Sequence, residues 1–116
     1  MDIRMPTEEF EFGEKTYVLR CNFNVLADAE NYFGSFEHLR FDEKTKILPI
    51  SRAYLAFMMN DYAAEMGWER RFTPETLGRE LCPDLRGIKE INDKVVRLVL
   101  RAVFVPAAAA EGSGNP

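Results

Sequence analysis

The chain has 116 residues, 47% of them hydrophobic and 29% charged, with a formal net charge of -4. That length is one domain, able to bury roughly two-thirds of its unfolded surface without a metal or disulfide staple. Acidic and basic residues are interspersed with a slight acidic excess, which argues against a general nucleic-acid binder, and no apolar run approaches the roughly 18 to 20 residues of a membrane span.

The first ten residues, MDIRMPTEEF, lack the apolar centre of a signal peptide and read as a loose lead-in through Pro6. Phe10 and Phe12 then alternate with glutamates. After Gly13-Glu14-Lys15, the run Thr16 to Cys21 alternates again, with Tyr17, Leu19 and Cys21 on one side. Two β-rich runs about a Gly-containing turn predict a hairpin over 9–21 whose aromatic face must lie on helices, because a lone hairpin is marginal.

Asn22 or Asn24 offers an N-cap for a short helix over about 24–33, which Gly34 is placed to end. Ser35 to Leu39 suggests one further helical turn, and Asp42 to Lys46 a charged connector. The longest charge-poor stretch is Leu48 to Trp68. Between Ala53 and Ala64 its only charge is Asp61. Tyr54, Leu55, Met58, Met59, Tyr62 and Met66 share one broad helical face, and Ala53, Ala56, Asn60, Ala63 and Ala64 make a small-residue reverse face. A helix over 50–66, started by Pro49 and Ser51 and ended by Gly67, is therefore expected at the centre with neighbours on two sides.

Thr73-Pro74-Glu75 is a start signal for a short helix over 74–81: a capping hydroxyl, a proline with no N–H to leave unbonded, and an acid at the positive helix end. Pro83 stops it and Asp84 caps the last helix, 85–104. Ile88, Ile91, Val95, Leu98, Val99 and Ala102 form its apolar stripe. Glu90 with Lys94 and Asp93 with Arg97 are spaced for ion pairs of ~0.2–0.5 kcal/mol each. Pro106 is read as the stop and 107–116, AAAAEGSGNP, as a disordered tail. The whole is a single α+β, mostly α, domain over 1–106: an N-terminal antiparallel hairpin on a bundle of four or five helices.

Reaction chemistry is not visible. Cys21 and Cys82 form no CxxC pair and read as reduced, partly buried thiols. His38, the single histidine, has no partner at metal-ligand spacing, so a surface or half-buried role is expected rather than a ligand or base. The glycines at 13, 34, 67, 78 and 87 are isolated punctuation, not a phosphate loop. Asp42 and Glu43, or Glu65 and Glu69, are more simply solvated acids than an acid–base pair. No cofactor and no enzyme activity are expected. Protein binding fits the residue types better. Trp68 and Phe72 flank a Glu-Arg-Arg link, and aromatic and arginine side chains are enriched at interface hot spots, although the same rings also suit the edge of a core. Val96, Leu100 and Val103 widen the apolar arc of the last helix beyond a minimal stripe. With Phe57 on the central helix, these six are the candidate protein-binding residues.

Four stretches, Tyr17-Val18-Leu19-Arg20 after the first strand, Asn24 to Glu30, Ser51 to Met58, and Thr73 to Gly78, give the chain an order that resembles the tail assembly chaperones of long-tailed bacteriophages and related prophage or gene-transfer-agent clusters. Residues 35–48 do not align to that pattern. The resemblance implies a protein of the bacterial host cytoplasm, absent from the mature virion. Its copies self-associate, bind and solubilise the long helical tape measure protein, and yield to tail tube protein subunits. AAAAEGSGNP would then suit the short product of a programmed frameshift. Two other readings stay open: another small phage structural protein, such as a head-tail connector or tail completion protein, and a non-phage bacterial protein-interaction domain.

Overall fold

The computed structural model describes residues 5–103. Its elements run β1 (Glu8–Phe12), β2 (Lys15–Leu19), α1 (Phe23–Phe33), a 3-10 turn (Glu37–Arg40), α2 (Ile47–Met66), α3 (Pro74–Glu80) and α4 (Leu85–Val103). This is the expected α+β, mostly α, arrangement with one antiparallel hairpin. The expected stop at Pro106 and the tail over 107–116 lie outside the described residues.

The hairpin closes more tightly than the sequence suggests. Phe12 pairs with Lys15, so only Gly13 and Glu14 connect the strands and Lys15 belongs to β2. Gly13 takes a positive φ of 61°, which a two-residue connection requires to match the twist of its strands. The alternation then sends Tyr17, Leu19 and, past the strand, Cys21 into the core at 3%, 0% and 4% exposure. Complete burial of a side chain like Leu19 contributes about 1.5–3 kcal/mol.

Helix α2 is the hub. α1, α3, α4 and β2 all pack against it. Tyr54, Leu55, Met58 and Met59 are buried on the large-residue face, and Ala53, Ala56 and Ala63 on the small-residue face. Alanine there lets a neighbouring element come close, which explains a helix buried most of the way round. Three expectations for this helix are corrected. It begins at Ile47, not near 50, and Lys46 caps it without a side-chain bond. Pro49 is thus the third helical residue, tolerated because the first four N–H groups of a helix have no intrahelical partner. Ser51 is buried inside the helix instead of capping it. At the other end, Ala64, Glu65 and Met66 are exposed, so the last turn before Gly67 stands clear of the body.

Two asparagines tie the surrounding elements to α2. The Asn22 Oδ1 accepts from Val25 N at 3.0 Å and so caps α1, while its Nδ2 donates to Asp61 at 2.6 Å. The lone charge of the central stretch is therefore an acceptor that fixes the start of α1. Asn60 clamps the α2–α3 connection: its Nδ2 donates to the Phe72 carbonyl at 2.6 Å, and its Oδ1 accepts from Phe72 N at 2.8 Å. Thr73 then caps α3 in a reciprocal box with Thr76.

Asp84 caps α4 as expected, accepting from Gly87 N at 2.8 Å. The expected pairs Glu90–Lys94 and Asp93–Arg97 do not form. Lys94 donates to the Glu9 carbonyl at 2.6 Å, Arg97 meets Glu8 at 3.2 Å, and Asp93 pairs instead with Lys89 at 2.8 Å. The cations turn toward β1 because the fold brings that strand alongside α4, which no helical spacing reveals.

Candidate protein-docking surface

The six residues singled out for binding separate into two groups. Phe72 is 4% exposed and Phe57 8% exposed, so neither belongs to the exterior. Phe72 joins Phe12 edge-to-face at 5.5 Å between ring centres, and Phe57 meets Tyr32 at 5.7 Å. Trp68 is half-buried. It packs edge-on against Tyr17 at 5.2 Å and Tyr62 at 5.6 Å, and Lys15 Nζ lies 4.6 Å from its ring centre. The Phe72 and Trp68 rings thus seal the seam between hairpin and α2, and Phe57 sits between α2 and α1. Arg70 lies over Phe72 at 4.5 Å and also pairs with Glu80, so its guanidinium covers this seam and ties it to α3. Aromatic and arginine enrichment is common to interfaces and to aromatic core edges, which is why composition did not separate the two.

Val96, Leu100 and Val103 are half-exposed on α4. Val103 still packs against the core cluster, while Val95, Leu98 and Val99 form the buried stripe. By helical projection Val96 and Leu100 lie on one flank of that stripe and Lys94 and Arg97 on the other. The β1 flank holds a shallow groove of about 310 Å³, lined by Phe10, Glu11, Leu81, Ile91 and Lys94 among others. Leu85 projects from the first turn of α4 at 84% exposure, and Phe23 opens α1 at the same value. Neither was singled out from the sequence, where Phe23 falls before the expected helix and Leu85 outside the apolar stripe of the last one.

Among the described residues, several of the titratable groups weighed above serve packing and turns. His38 is half-buried, stacked on Phe33 at 4.0 Å, with Nε2 2.7 Å from the Tyr54 hydroxyl. It therefore anchors the 3-10 turn to α2. Burial lowers its pKa. Burial raises that of Tyr54 and pushes the Cys21 thiol up to about 12, leaving it without thiolate character at neutral pH. Cys82, expected to be partly buried, is exposed. Asp42 is spent on its own turn, accepting from Lys44 N at 2.9 Å. Glu65 pairs with Arg20 at 2.9 Å, and Gly67 ends the helix before Glu69 can join it. Among the described residues no group of three His, Cys, Asp or Glu is placed to hold a metal ion, and no helix is long and apolar enough to cross a membrane.

Fold and surface together define a small, mostly helical α+β body with apolar side chains left outside its core. Comparison with protein-family models, with curated proteins and with solved structures gave no match.

Proposed function

We propose that this protein works by holding another protein, as a tail assembly chaperone that binds and solubilises the tape measure protein during phage or prophage tail assembly. The four stretches that carry the likeness fall in β2, α1, α2 and α3. The observation that carries the binding role is the Val96–Leu100 flank of α4. Two large apolar side chains stay half-exposed on a well-formed helix whose own stripe is already satisfied by Val95, Leu98 and Val99. An apolar flank on a small acidic body can coat a long apolar rod through many weak contacts, each easily displaced when tube subunits arrive. The same flank suits self-association between copies. Neither cofactor nor turnover enters this role.

Co-expression with a phage tape measure protein tests the reading. A soluble complex of the two is expected, and an insoluble, unbound partner would reject it. Mass spectrometry of purified particles adds a second check. The chaperone is expected to be scarce or absent there, whereas stoichiometric copies would make the protein a connector or completion component.

A further inference from the structure

The outer edge of β1 faces the groove that runs toward α4. Along the hairpin, Phe12–Lys15, Phe10–Tyr17 and Glu8–Leu19 are partners. In a two-residue hairpin these pairs exchange the ladder bonds, so the N–H and C=O groups of Glu9 and Glu11 point away from β2. One of those carbonyls, that of Glu9, accepts a hydrogen bond from Lys94 Nζ at 2.6 Å. The lysine crosses the groove from α4 and supplies the donor that a third strand would bring. The groove has Phe10, Leu81 and Ile91 in its lining, together with Glu11 and Glu90.

We propose that this edge accepts an extended segment of a partner protein, which adds as a third strand to the hairpin and carries a basic–apolar–basic alternation. The charge pattern of β1 selects that chemistry. Glu9 and Glu11 are exposed on the outer face and Phe10 is half-buried on the inner face. A strand laid beside them places every second side chain next to the glutamates and the intervening one over the groove. Lysine or arginine satisfies the first set, and opposite charges on neighbouring strands attract. A branched apolar side chain satisfies the second, against Phe10 and Ile91. A second copy of β1 would bring glutamate to glutamate, so the edge is charged against pairing with itself. The incoming backbone donates to the Glu9 carbonyl, and Lys94 swings out. Edge addition of this kind draws affinity from main-chain bonds and specificity from alternate side chains. The inference stands apart from the chaperone role, since it rests on β1 and not on the Val96–Leu100 flank.

The test is titration of the isotope-labelled full chain with short acetylated peptides, read residue by residue in amide NMR spectra. The probes are an alternating lysine–valine peptide, its glutamate–valine counterpart, and the lysine–valine peptide with central prolines. The lysine–valine peptide is expected to shift the Glu9 and Glu11 amides and protect them from exchange. The proline version, which cannot complete the ladder, is expected not to bind. Glu11→Lys should weaken binding about three- to fivefold, the worth of one cross-strand charge pair. Lys94→Met, which frees the carbonyl, should strengthen it. Equal binding of the glutamate peptide, retained binding of the proline peptide, or shifts at Leu85 and Ile91 without the strand amides would each overturn the proposal. So would concentration-dependent shifts of Glu9 and Glu11 without peptide, since those assign the edge to a second copy.

Discussion

Single side chains in this protein are mostly occupied with joining elements. Asn60 is the clearest case, because it satisfies both backbone groups of Phe72 at once. Replacing it with alanine leaves a half-buried N–H and C=O without partners, at a cost of about 2–3 kcal/mol. Asn60→Ala is expected to lower the unfolding free energy by that amount, seen as a lower urea midpoint at unchanged slope, and to lower Trp68 fluorescence anisotropy as the seam loosens. His38 makes a pH prediction. Its folded pKa lies below the ordinary 6.5 because burial disfavours the imidazolium. The unfolded chain therefore binds the proton first as pH falls. The stability tied to neutral His38 is fully present above about pH 6.5 and is lost as pH falls from there through the depressed folded value. Urea unfolding at pH 7.5 and at pH 5.5 should show this loss, and His38→Gln, which keeps a polar group for the Tyr54 hydroxyl, should flatten it. An unchanged difference in that variant would assign the effect to other groups.

At the scale of elements, the turn into α4 is built around the missing side chain of Gly87. A methyl group there would lie 2.8 Å from the Pro83 Cβ, inside the closest approach real carbon atoms make. The proline ring cannot swing away, so the Pro83–Asp84 start of the helix must shift and strain the cap on Gly87 N. Gly87→Ala is thus expected to destabilise by about 1–2 kcal/mol despite the better helix propensity of alanine. Thermal unfolding of the variant beside Gly78→Ala checks this. At Gly78 the nearest atom is the Arg52 Cδ at 3.1 Å, on a side chain that is part-exposed and has room to move. The smaller effect is expected there. Both glycines lie inside the helices expected over 74–81 and 85–104, and the structure keeps them there, whereas Gly13, Gly34 and Gly67 occupy a turn and two caps with positive φ.

For the whole molecule, the decisive question is which apolar surface is left over. Changing Val96 and Leu100 together to aspartate is expected to leave the melting temperature within about 5 °C, because neither side chain belongs to the buried stripe and surface changes fall within about ±0.5 kcal/mol each. The same pair should abolish co-purification of a bound partner or shift any oligomer to monomer in sedimentation. A matched control, Val99→Asp, buries a charge and should unfold the protein. If the double variant kept partner and oligomer unchanged, the α4 flank would have no binding role.

The chain by itself determined the order and kind of its elements. Alternation named the hairpin, Thr73 named one helix start and Asn22 or Asn24 another, Gly34 and Gly67 named two ends, and the charge-poor stretch from Ala53 named the hub. Each of these is a local effect, felt within a few residues along the backbone, and therefore written in the spacing. Tertiary structure decided what the long side chains do. It turned Lys94 and Arg97 from their helical neighbours to β1, drew Phe57 and Phe72 into the core, made Asn60 and Asp61 the fasteners of the bundle, and left Val96, Leu100 and Leu85 outside. Those outcomes depend on residues 12 to 89 positions apart meeting in space. Apolar and charged side chains find such partners by proximity, and a pattern read along one helix carries no record of which strand lies beside it.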